Sequence, residues 1–177
     1  MRLFIAINFE ESVKDAVQDI IEDIKRYSKQ GKFVNNEYMH LTLEFLGEIP
    51  PEKVNMIQEA MDQLTEDKFI LELSKIGYFK RREGNIYWIG FNESQSLYNI
   101  QNELHNLLLE KGFELENREY KPHLTIGRKV LMNKDFNQDL FLNSLKEITI
   151  PVYKIDLMKS EHINGTLKHT VIYSKPL

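Results

Sequence analysis

The 177-residue chain has no cysteine. That excludes a disulfide framework, a thiol nucleophile and a zinc site built on thiolates, and it suits a reducing compartment. Long apolar runs are missing too. The run near the start, in RLFIAIN, spans only the five residues Leu3 to Ile7. That is too short for the apolar centre of a secretory signal, and no later run approaches the roughly 20 residues of a membrane span. A cytoplasmic protein without a membrane partner is the expectation. Nor is there an excess of positive charge: 23 Lys and Arg against 27 Asp and Glu give a net charge of −4. This argues against long, non-specific wrapping of nucleic acid, which relies on many contacts from cations to phosphates. It leaves room for grasping one phosphate through local basic groups such as Lys80-Arg81-Arg82, Arg118, Lys121, Arg128 and Lys129. There is no low-complexity segment and no obvious linker. The length fits one domain, or one domain with two lobes.

What is present is a repeat. His40-Leu41-Thr42-Leu43 recurs 83 residues later as His123-Leu124-Thr125-Ile126. With five His in 177 residues, roughly 0.2 His-x-Thr triplets are expected by chance. Two occur, both with Leu in the middle and an apolar residue after.

Periodicity extends the repeat. Residues 3–8 read as a buried strand, 11–29 as a helix ended by Gly31, and 38–46 as a strand. Pro50-Pro51 opens a helix over 51–65, and 69–78 is a strand. The order restarts with a strand at 85–91, a helix at 94–111 stopped by Gly112, a strand at 121–127 and a helix at 134–146. Two strands close the chain, 149–161 and 167–174, with Asn164-Gly165 as a hairpin turn between them. Shifting the first half by 83 lays strand on strand, helix on helix and His40 on His123. The expected architecture is one two-lobed domain over residues 1–177, with repeats over about 3–78 and 86–173 and a cleft between them. The loop KRREGN after Phe79 is the candidate junction between the lobes.

On a strand, residues two apart share a face. His40 and Thr42 therefore point together, with Met39, Leu41, Leu43 and Phe45 on the other, core side. His123 and Thr125 also point together, opposite Leu124 and Ile126. A pseudo-twofold pairing of lobes delivers two imidazoles and two hydroxyls to one cleft. Two histidines suit a reaction needing a base and an acid at once, such as attack of water on a cyclic phosphodiester. The hydroxyls can donate to non-bridging phosphate oxygens, and a nearby Arg can neutralise charge there. No metal or other cofactor is required, and His-x-Thr supplies only one metal ligand per strand. The other histidines read as structural: His105 as solvent-exposed, His162 beside the turn, His169 as partly buried in the last strand. Trp88 reads as core.

These motifs, their spacing and the repeat resemble the 2H phosphoesterase superfamily. RLFIAI, HLTLEFLGEI and KPHLTIGR resemble its RNA 2′,3′-cyclic phosphodiesterase branch, once called the 2′-5′ RNA ligase family. The resemblance implies an α+β fold with two pseudo-symmetric lobes, each an antiparallel sheet with outer helices, and motif strands lining a central cleft. It implies opening of RNA-terminal 2′,3′-cyclic phosphates, or of small cyclic nucleotides, to 2′-phosphomonoesters; the sequence does not give the oligomeric state, and a monomer is the expectation. His40 is then the proton donor to the leaving 3′ oxygen and His123 the acceptor from water, with Thr42, Thr125 and Arg128 on the phosphate. Two alternatives stand beside hydrolysis: the reverse 2′-5′ ligation, and a non-catalytic module that binds RNA ends or nucleotides. Two points depart from the pattern. Strict alternation puts Arg128 on the face opposite His123, unless the strand bends after Gly127. His169 stands where relatives often carry Tyr.

Overall fold

The computed structural model describes residues 1–177. It is α+β, with two antiparallel sheets and four α-helices. The apolar run of RLFIAIN forms β1 (Arg2–Asn8), where Leu3 to Ile7 are all buried. Such a run, without alternation, fits a central strand covered on both faces. It pairs with β3 (His40–Glu48) on one side and β8 (Lys154–Ile163) on the other, and β9 (Thr166–Pro176) completes the sheet in the order β3-β1-β8-β9. The second sheet has the order β2-β6-β5-β4-β7, from β2 (Ser28–Phe33), β4 (Phe69–Phe79), β5 (Asn85–Phe91), β6 (His123–Met132) and β7 (Ile148–Val152).

The helices follow the expected periodicity. Helix α1 (Glu11–Arg26) buries Val13, Val17, Ile20, Ile21 and Ile24 as one stripe. It ends sooner than expected, because the chain turns at Tyr27 into β2. That strand carries no apolar alternation in SKQGKF and is a sheet edge held by its ladder to β6. Pro51 opens a 3-10 turn that leads into α2 (Val54–Asp62). Ser94 caps α3 (Gln95–Glu110), its Oγ accepting from the Leu97 N–H at 3.3 Å. Asn137 caps the short α4 (Gln138–Ser144) in the same way. At the last hairpin Asn164 and Gly165 have φ of 51° and 78°, the two positive values of the expected tight turn.

Two expectations about connectivity fail. The single strand predicted over 149–161 is two strands in different sheets, β7 and β8, divided at Tyr153. The loop after Phe79 joins β4 to β5, which are neighbours in one sheet, so it is a hairpin and not a junction between lobes. The lobes instead exchange strands. The matched orders β3-β1-β8-β9 and β6-β5-β4-β7 show that β4, from the first half of the chain, lies in the second half's sheet, and β8 does the reverse. Helices cross as well: α1 follows β1 but packs on β2 and β7, while α3 follows β5 and packs on β3. A single cluster of 36 buried residues runs through both lobes.

Candidate active site

The register of β3 sets the first motif. His40 lies opposite Asn8, and Thr42 opposite Ala6. Met39, Leu41 and Leu43 are buried, while His40 and Thr42 are only partly so. Then the ladder slips: Thr42 faces Ala6, but Glu44 faces Ile5. Leu43 is the extra residue of a β-bulge, and a bulge resets the alternation. Glu44 consequently falls on the core side. Phe45 swings to the cleft side at 53% exposure, which corrects its expected core position. The buried Glu44 carboxylate is met by His105 Nδ1 at 2.7 Å and Gln101 Nε2 at 3.4 Å, both from α3. His105 is thus a partner of a buried acid, contrary to its expected exposure. An unpartnered buried carboxylate would be costly, so α3 has to supply polar side chains here.

The second motif repeats this geometry. Thr125 lies opposite Trp88, and Gly127 opposite Tyr87, so Ile126 is the extra residue. Ile126 and Gly127 take the core side, and Arg128 returns, exposed, to the face of Thr125. The conflict over Arg128 is resolved by the bulge: this side chain shares a face with the motif. The ladder slips again beyond Arg128. Lys129 there takes a φ of 54°, and its backbone lies 2.7 Å from where a Cβ on Gly84 would sit. Only glycine fits that approach.

The surroundings of the two histidines differ. The His40 ring packs 4.9 Å from Phe4 and 5.3 Å from His169. Burial, and then the charge of a protonated His169, push the His40 pKa down to about 4, against a smaller upward pull from the Tyr38 backbone. Burial lowers the His169 pKa as well. Both rings line a cavity of about 270 Å³ with Asn8, Lys14, Glu37 and Lys154. At its floor Asp156 is fully buried and saturated: Asn8 Nδ2 at 2.7 Å, Lys154 Nζ at 2.9 and 3.0 Å, and Ser174 Oγ at 2.5 Å all donate to it.

His123 does not line that cavity. Its Nδ1 sits 2.7 Å from the Lys121 carbonyl. A carbonyl only accepts, so Nδ1 carries the proton, and in the neutral ring Nε2 keeps a free lone pair. Phe79 meets the ring edge-on at 5.3 Å, and Trp88 stands 6.4 Å away. Trp88 is half-buried on the cleft face, not in the core, and its indole covers the bare backbone of Gly77 and Gly90. The lobes are tied beside the motifs: β3 approaches β6, and Tyr120 OH donates to the Thr42 carbonyl at 3.0 Å. Burial raises the pKa of the Tyr120 hydroxyl far above its ordinary value, so it stays a donor.

The structure therefore puts His40 and Thr42 on one face of β3, and His123, Thr125 and Arg128 on one face of β6, with the two strands approaching each other. It leaves Arg118 and Lys121 in exposed ion pairs with Glu116 and Glu119, and His162 exposed near the turn. A larger cavity of about 450 Å³ lies beside Tyr98 and Tyr120 and contains none of the five. No three His, Asp or Glu side chains form a cluster able to hold a metal ion. No helix is long and apolar enough to cross a membrane. Asn8, Asp156 and Lys154 were not visible as site residues in the sequence, because only the exchange of β8 into the first sheet brings the last two beside His40.

Two bulged strands, each presenting His and Thr on one face, in two antiparallel sheets tied together beside the motifs, have the architecture of a two-lobed phosphoesterase. The LigT like Phosphoesterase family matches the chain twice, over residues 7–88 and 89–169, and the chain belongs to that family. It is 31% identical over 173 residues to a Thermotoga maritima protein named RNA 2′,3′-cyclic phosphodiesterase, covering 96% of this chain and 89% of the relative. A Methanocaldococcus jannaschii protein of the same name is 38% identical over 136 residues, covering 76% and 75%. Among solved structures, Escherichia coli LigT complexed with 3′-AMP superposes with a TM-score of 0.79 at 23% identity, over 99% of this chain and 97% of that one. This last likeness is one of fold.

Proposed function

We propose that the chain hydrolyses RNA-terminal 2′,3′-cyclic phosphates to 2′-phosphomonoesters by two-histidine acid-base catalysis without a metal. We place this activity in a single two-lobed domain over residues 1–177, working as a monomer. The observation that carries the reading is the duplicated His-x-Thr on two strands with the same bulge at the same place. A binding module needs the hydroxyls and Arg128 but has no use for two imidazoles. In the reaction, water attacks phosphorus as the bond from phosphorus to the 3′ oxygen breaks. His123, with its Nε2 lone pair free, takes the proton from water. His40 gives a proton to the departing 3′ oxygen. Thr42, Thr125 and Arg128 hold the non-bridging oxygens, where charge builds up. Burial keeps His40 neutral before substrate binds. The incoming phosphate anion favours the charged ring, so His40 takes up a proton from solvent as the substrate binds.

That same burial favours a second assignment, in which the neutral His40 is the base and His123 the acid. A substrate with sulfur in place of the 3′ oxygen separates the two, because a thiolate leaves without a proton. In EDTA, phosphorus NMR of wild type should show a 2′-phosphate from the ordinary substrate, with His40→Ala and His123→Ala nearly inactive. The sulfur substrate should restore turnover in whichever variant has lost the acid. Wild type that binds the RNA end without turnover would replace this reading with the binding module.

A further inference from the structure

A cation beside β6 is not used by the reaction. Lys32 on the edge strand β2 lies directly opposite Arg128 on β6. Phe33, next along β2, lies opposite Gly127 and packs against the core. Lys32 therefore shares the cleft-side face with Arg128 and Thr125. Both cations are exposed and neither is in an ion pair. The neighbouring Lys129 is different: Glu83 of the β4–β5 hairpin neutralises it at 2.5 Å. Like charges directly opposite each other on a ladder repel. An antiparallel pair that keeps two such cations side by side, with no carboxylate between them, is built for an anion from outside. The same corner carries Lys80, Arg81 and Arg82, all exposed, on the hairpin whose Gly84 abuts the Lys129 backbone. On a chain with a net charge of −4 this is a local concentration of positive charge.

We propose that Lys32, beside Arg128 on the terminal phosphate, extends that grip into a clamp on the phosphodiester linking the last two nucleotides of single-stranded RNA, one step upstream of the cyclic phosphate. The inference rests on the proposed activity at the RNA end and names what extends that substrate beyond one nucleotide. Thr125 addresses the terminal phosphate, and Arg128, three residues on and beyond the bulge, stands between it and Lys32. The exposed cations recognise charge and not base identity, so this clamp favours length over sequence.

The test compares a hexanucleotide ending in a 2′,3′-cyclic phosphate with a nucleoside 2′,3′-cyclic phosphate. Wild type should favour the hexanucleotide in kcat/KM, and Lys32→Gln should reduce that preference about tenfold. Binding is followed separately by fluorescence anisotropy with a labelled hexanucleotide ending in a 3′-phosphate, which is not turned over. There the log–log dependence on salt should become shallower in Lys32→Gln by about 0.7, the value for one lost contact to a single strand. Equal loss on both substrates, or an unchanged salt slope, overturns the clamp. If wild type turns over neither substrate, the hydrolytic reading fails, while the salt slope still decides whether Lys32 holds an upstream phosphate.

Discussion

His40 and His123 occupy equivalent places in two sheets and live in different media. The difference comes from the strands beside them. Asn8 stands opposite His40, where Gly90 stands opposite His123. Next along, Ala6 lies between Thr42 and Asp156, where Trp88 lies between Thr125 and Gly77. The small and the polar residue of one row become a large aromatic and a glycine in the other. Around His40 the space is closed by Phe4 and by His169 from β9. Around His123 only ring edges approach, and one nitrogen is fixed on a carbonyl. A duplicated motif thus supplies the same functional groups twice, while the neighbouring strands decide what surrounds each ring. Unlike surroundings are thus built around like residues.

The sharpest way to break this comparison is to remove each ring in turn. His40→Ala and His123→Ala should each lower kcat by about 10²- to 10⁴-fold, the usual worth of a positioned acid or base. A variant that keeps more than a tenth of wild-type turnover would show that one motif is a structural duplicate of the other.

Acid stability probes the same contrast without substrate. The folded state holds His40 at about 4, below the ordinary value of 6.5. The unfolded chain therefore binds the proton first as pH falls, and folding loses stability between those two values. That loss is absent above about 6.5 and complete below about 4. From this group alone it amounts to at most about 3 kcal/mol. His40→Gln should flatten the difference in urea midpoints between pH 7 and pH 4.5. If wild type and variant lose stability in parallel across that range, His40 is not held neutral.

Much of this was legible in the sequence, and the misses share a cause. The helices, the last hairpin and the pairing of His with Thr depend on local period, which one strand or helix displays by itself. The positions of Phe45 and Arg128 depend on register with a partner strand, and a bulge at Leu43 or Ile126 leaves no mark in the residues themselves. The strand exchange was hidden for a related reason. A period of 83 says that β4 and β8 are alike, and nothing in it says which sheet either joins. The edge strand β2 was missed because SKQGKF is stabilised by ladder bonds to β6 and buries little of its own.

The floor under His123 can be tested by filling it. A Cβ on Gly77 would lie 2.2 Å from the Trp88 ring, a contact that forces the indole to move. Gly77→Ala should cost about 1–3 kcal/mol in urea unfolding, in the range for overpacking a tight site. It should also shift the indole fluorescence, which reports on this site directly because the chain has one tryptophan. If stability and emission are both unchanged, Trp88 does not rest on that glycine, and the two floors are less different than the register indicates.

The smallest effect concerns His169, and it sharpens the comparison most. Its Nδ1 is buried without a hydrogen-bond partner, a costly state for a group placed only to fill space. Its ring faces His40 across Phe4, at 5.1 Å from the phenyl centroid. Desolvation is the larger cause of the low His40 pKa, and repulsion from His169 the smaller. The other charged groups on this cavity are Lys14 from α1, Glu37 from the turn before β3, and Lys154 and Asp156 from β8. Lys14 is paired with Glu11, and Lys154 with Asp156, so their fields are largely offset, and the unpaired groups left beside His40 are Glu37 and His169. His169→Gln should therefore raise the His40 titration midpoint by less than about one unit, read from the ring protons by NMR, and move with it the limb of kcat/KM that His40 sets, the alkaline one for a proton donor. A purely packing role would change stability and leave the midpoint where it was. In that case desolvation alone separates the two histidines, and the third imidazole has no share in it.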